Sequence, residues 1–99
     1  MNVTINAVHF KTDKKLETFI TEKVGKLNQY FDGIIGSEVI LKLENTDTPE
    51  NKVAEIRLQI PGNDLYARKQ CNTFEEATGE AVDALKIQLK KYKAKLKGS

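Results

Sequence analysis

His9 and Cys71 are the only imidazole and the only thiol in this 99-residue chain. Together they are the reagents of a thiol hydrolase, in which a base activates the nucleophile and a third group orients the base. The sequence supplies no such assembly. His9 falls within a strand pattern and Cys71 near the end of another, where an ordinary strand histidine and a small apolar cysteine are the simpler readings. Two residues at that separation match no recognised zinc spacing, and one cysteine forms no internal disulfide. Carboxylates are plentiful, but most fall on helix surfaces or outward strand positions, where solvation explains them. The glycine pairs in "GIIG" and "PGND" lack the strand-loop-helix context of a phosphate loop. No enzymatic activity, metal or cofactor is expected.

Lysine offers a different chemistry. From residue 84 onward the chain carries Lys86, Lys90, Lys91, Lys93, Lys95 and Lys97 and no acid, whereas residues 73–83 carry Glu75, Glu76, Glu80 and Asp83 and no base. At about 100° per residue with Leu85 at zero, Ala81, Leu89, Tyr92 and Leu96 cluster within about 40°. Lys86, Lys90, Lys93 and Lys97 then form one ridge at about 80° to 140°, and Lys91 and Lys95 take the opposite flank. A helix macrodipole favours acids at its start and bases at its end, but only over the terminal turn. It does not account for six lysines over three turns, with repulsion between neighbours four apart. A polyanionic partner does.

The elements that must position these lysines are legible in the hydrophobic period. Residues 2–10 alternate, with Val3, Ile5 and Ala7 on one side. Residues 13–31 change to a helical period through Leu16, Phe19, Ile20, Val24, Leu27 and Phe31, with Thr12 or Asp13 as N-cap. Gly25 lies inside this helix at a cost of up to about 1 kcal/mol, and either allows close packing or carries no structural meaning. Residues 37–44 place Val39, Leu41 and Leu43 inward. Residues 52–60 place Ala54, Ile56, Leu58 and Ile60 inward, and "PGND" marks a hairpin to a strand over 65–71 with Leu65 and Ala67 inward. Residues 73–97 form the last helix, opened by a capping box of Thr73 and Glu76, with Phe74, Ala77, Ala81, Leu85, Leu89, Tyr92 and Leu96 as its buried stripe. The order is β-α-β-β-β-α, an α+β domain with a four-stranded, mainly antiparallel sheet and both helices on one face. An apolar content of 39% and a charged content of 30% are those of a soluble globular chain. No segment approaches the length of a spanning helix, and the start lacks the pattern of a signal peptide, so the cytoplasm is the expected compartment.

If both helices cover the same face, Lys23 and Lys26 on the first would border a groove with Lys86, Lys90 and Lys93 on the second. Two basic ridges beside a cleft suit RNA phosphates. Tyr66, Arg68 and Lys69 form a candidate accessory patch, with an edge strand protected by charge as the alternative. Phe19, Phe31, Phe74 and Tyr92 fall on buried stripes, leaving Phe10, Tyr30 and Tyr66 as candidates for exposure. That is a poor stacking platform for single strands, so structured RNA read by shape and phosphate fits better.

The stretch "KLNQYFD", Lys26 to Asp32, preceded by Lys23, resembles the first-helix signature of the bacterial ribosome hibernation-promoting factors, also called ribosome-associated inhibitors or sigma-factor modulation proteins. The terminal "QLKKYKAKLK", Gln88 to Lys97, resembles that family's basic second helix. The resemblance spans essentially the whole chain. It implies a fold similar to a double-stranded RNA-binding domain, bound in the small-subunit channel between head and body where messenger and transfer RNA lie. Translation would be blocked by occupancy in stationary phase or stress. The implied partners are the small ribosomal subunit with its ribosomal RNA and the assembled ribosome, with no membrane and no small-molecule substrate. By position, Lys23, Lys26, Lys91 and Lys93 carry the RNA contacts, Lys86, Lys90 and Lys97 extend them as part of the ridge, and Arg68 with Lys69 is accessory. The chain departs from the family pattern at Thr73, Phe74 and Glu75, where members often have an Asp-hydrophobic-Tyr start to the last helix, and at Ala84 and Ile87, where they often have bases. It ends where the long form's dimerisation domain would begin and lacks the inhibitor branch's acidic tail. A single ribosome-binding domain over residues 1–99, the short form, is therefore expected. The competing readings are a general structured-RNA binder and a protein-interaction module modulating a transcription factor through the exposed sheet face.

Overall fold

The computed structural model describes residues 1–98, and side chains as far as Leu96. The elements are β1 (Asn2–Ala7), α1 (Lys14–Gly25) running into a 3-10 turn (Lys26–Gln29), β2 (Gly36–Leu43), β3 (Lys52–Ile60), β4 (Asn63–Cys71) and α2 (Phe74–Gly98). The strands lie in sequence order in one sheet. β1 pairs parallel with β2, and the other two pairings are antiparallel. The parallel pair needs a crossover, which α1 supplies.

Register explains the core. Ile5, Val39, Ile56 and Ala67 lie opposite one another in one row across the sheet, and Val3, Ser37, Leu58 and Leu65 form another. The inward residues of β2 to β4 in these rows are buried against Ile20, Val24 and Leu27 of the first helical segment and Ala77, Ala81, Leu85 and Leu89 of α2. Asp13 is the α1 N-cap, accepting a hydrogen bond from Leu16 N at 2.7 Å, while Thr12 donates to Glu17. Thr73 Oγ1 accepts from Glu76 N at 3.0 Å at the start of α2. The β3–β4 connection is a two-residue turn in which Pro61 presets one dihedral and Gly62 takes φ +79°.

The structure departs from the sequence expectations at the element ends. Leu43, expected inward, is 54% exposed, because it is the last residue of β2. Leu96, expected on the buried stripe of α2, is 58% exposed. At 25 residues α2 extends about 37 Å, whereas the nine-residue strands reach about 30 Å, so its last turns outrun the sheet. β1 stops at Ala7, His9 adopts φ +65°, and Phe10 turns to stack on Phe74 with ring centroids 5.1 Å apart. Gly25 is not a close-packing site, since nothing lies within 4 Å of where its β-carbon would be. Val53 is fully buried on the other face of the sheet, beside a 44–51 loop tied back by Glu44 N to Asn51 O and by Gln70 Nε2 to Glu50 O.

Candidate nucleic-acid interface

The helices pack side by side on the sheet. This packing carries the basic ridge of α2 to the end of the first helical segment. Tyr30, just past the 3-10 turn, is the meeting point. Lys86 Nζ lies 5.0 Å from its ring centroid and Lys90 Nζ 5.9 Å. A ring quadrupole attracts cations at these distances, so one tyrosine gathers two ammonium groups that would otherwise repel each other four residues apart. Lys93 extends the ridge beside residues 29–33. Lys23 lies in the last turn of α1, half-buried, and Lys26 follows it, exposed. Lys91 is exposed on another flank of α2, and the side chain of Lys97 lies outside those described. Among the described residues, no carboxylate forms an ion pair with Lys23, Lys26, Lys86, Lys90, Lys91 or Lys93.

The accessory patch does not assemble. Arg68 faces away from the helices and binds Glu44 at 2.8 Å and Glu55 at 3.6 Å. Lys69 ends the row Ala7, Leu41, Ala54, which points the other way, toward the helices. Lys42 closes the outward network, 2.6 Å from Glu55. The Lys42 hydrogen bond holds the Glu55 carboxyl below its ordinary range against an opposing effect of burial, and the same contact raises Lys42. Burial, then Glu55, pushes the Tyr66 hydroxyl up.

Cys71 is buried, and burial followed by Glu80 pushes its thiol to about 11. That shift favours the thiol over the nucleophilic thiolate at neutral pH. His9 is exposed in the β1–α1 connection. Among the described residues no group of three or more His, Cys, Asp or Glu is placed to hold a metal ion. No described helix is long and apolar enough to cross a membrane.

The sequence reading gathered the lysines but gave Tyr30 no role beyond that of a candidate exposed ring. The available signal was its place within "KLNQYFD", off the stripe of Val24, Leu27 and Phe31.

The chain is thus an α+β domain of two helices on a four-stranded sheet, with a lysine-rich flank that forms no ion pair among the described residues. Residues 3–97 match the family described as sigma 54 modulation protein / S30EA ribosomal protein, and the chain belongs to that family. Among its relatives, the ribosome hibernation promoting factor of Pseudomonas putida is 34% identical over 95 residues, covering 96% of this chain and 89% of the relative. That of Escherichia coli K12 is 33% identical over 97 residues, covering 98% and 96%. The fold is shared with the N-terminal domain of Protein Y from Thermus thermophilus, with TM-score 0.80, 24% identity and coverage of 93% and 99%. It is also shared with a ribosomal subunit interface protein from Coxiella burnetii, with TM-score 0.83, 18% identity and coverage of 95% and 99%.

Proposed function

We propose that this protein binds the small ribosomal subunit through ribosomal RNA, occupies the decoding channel, and holds ribosomes inactive in stationary phase or stress. The observation that carries the reading is the convergence of Lys86, Lys90 and Lys93 on the Tyr30 end of the first helical segment, with none of the three in an ion pair among the described residues. Lys23 and Lys26 lie in the same helical segment. Relatives named ribosome hibernation promoting factor support a ribosome as the partner. Inhibition is steric: a folded domain fills the path of messenger and transfer RNA, and lysine–phosphate contacts hold it there. No bond is made or broken. Arg68 contributes little, since it is already engaged by two carboxylates.

The test is sedimentation of the protein with separated subunits and assembled ribosomes through a sucrose gradient. Comigration with the small subunit and with assembled ribosomes is expected, and an added ribosome-dimer peak would establish pairing. Protein remaining at the top of the gradient would overturn the reading. Equal affinity for arbitrary RNA duplexes would replace it with general structured-RNA binding.

A further inference from the structure

Between the exit of the 3-10 turn and α2 lies a hollow of about 400 Å³ lined by Gln29, Tyr30, Phe31, Asp32, Gly33 and Lys93. Its frame is fixed. The Phe31 ring meets Tyr92 edge-on, with centroids 5.5 Å apart, and the Tyr92 hydroxyl donates to the Pro61 carbonyl at 3.2 Å. A β-carbon at Gly33 would come within 2.7 Å of Phe31 Cε2, so only glycine lets that ring lie against the backbone. Tyr30 is held beneath Lys86 and Lys90.

The polar groups of the hollow have opposite signs, yet they do not satisfy each other. Among the described residues Asp32 forms no ion pair with Lys93, and no hydrogen bond engages its carboxylate. A carboxylate also opposes a purely phosphate-binding surface. A ligand that suits both groups brings an anion to the lysines and hydrogen-bond donors to Asp32. A nucleotide does so. Guanine fits best, because its N1–H and N2–H2 groups lie side by side and donate in parallel to two carboxylate oxygens. Adenine and cytosine offer one amino group on that edge, and uracil one N–H. Pairing with cytosine consumes those guanine donors, so the base must be unpaired.

We infer that this hollow is a subsite for an unpaired guanine nucleotide of the bound RNA. Asp32 takes the Watson–Crick edge, and Lys93 with Lys86 and Lys90 takes the adjoining phosphates. The inference rests on the RNA-binding reading above and adds a base preference that phosphate contacts cannot supply.

The test is an NMR titration of the isotope-labelled full chain with the 5′-monophosphates of guanosine, adenosine, cytidine and uridine. The guanosine nucleotide should move the amide signals of residues 29–33 and Lys93 and bind roughly tenfold tighter than the others. Asp32→Asn, at an exposed position that caps no helix, should erase the preference and leave weak binding common to all four. Equal affinities in the wild type, or no response at residues 29–33, would overturn the subsite. Sedimentation of the same samples with the small subunit separates the two ideas. Comigration without a guanine preference removes the subsite alone, whereas a guanine preference without comigration removes the ribosomal reading and leaves the subsite standing.

Discussion

The open face of the sheet and the flank where the helices meet both carry cations, but they balance charge in opposite ways. On the sheet, Lys42 and Arg68 are matched by Glu55 and Glu44 within a closed network. On the helices, Lys86 and Lys90 share an aromatic ring and, among the described residues, pair with no carboxylate. The first arrangement satisfies itself and serves the fold. The second retains repulsion within one helix, which an external anion would relieve. The contrast also bears on the competing view of the sheet as the docking face: Lys42, Arg68, Glu44 and Glu55 there are already committed to one another.

Changes on either side should sharpen or break this division. Lys26→Glu combined with Lys93→Glu should weaken small-subunit binding on the order of a hundredfold or more at moderate salt, with thermal stability unchanged, as read by sedimentation and a melting curve. Retained binding would mean that the helical flank is not the interface. In the wild type, raising salt from about 50 to 200 mM should lower affinity by about 10² to 10³ if five lysines contact phosphates, and an unchanged affinity would end the lysine mechanism.

Glu55→Gln should do the reverse, leaving ribosome binding intact and costing about 1 kcal/mol of stability. Glu55 ionises below its ordinary value of 4.5 in the fold, so its contribution is complete above that value and is lost as pH falls through the lowered one. Lys42 is raised from 10.5, so its share is complete below that value and is lost as pH rises through the raised one. The variant's stability profile should therefore be flatter at both the acid and the alkaline edge. Among the changes that weaken binding, Tyr30→Leu should have the smallest effect, about two- to fivefold, as Lys86 and Lys90 lose their shared anchor.

The fold was legible because burial imposes its period on sequence. Val39, Leu41, Ile56 and Leu58 alternate since one face of the sheet is dry, and Ile20, Val24 and Leu27 recur since one stripe of the first helical segment is. Leu43 and Leu96 were misplaced because exposure at an element's end depends on how far its neighbour extends, which no local period encodes. The lysine ridge was legible in part. Its spacing on α2 follows from helical geometry, but its convergence on Tyr30 joins segments more than fifty residues apart and depends on helix packing. The fate of Arg68 was within reach. Counting back from the Pro61–Gly62 turn places Glu55 directly opposite it, and that register alone separates Arg68 from the helical patch.

The hydrogen bond from Tyr92 to Pro61 makes the tip of the β3–β4 hairpin mechanically continuous with Phe31. For anyone attaching a dye, spin label or fusion partner to this protein, the two hairpin tips are therefore not equivalent sites. A probe at Pro61 or Gly62 would disturb the floor of the hollow it was meant to observe. Thr46 or Asp47, in the loop between β2 and β3, would carry the same probe without pulling on that ring.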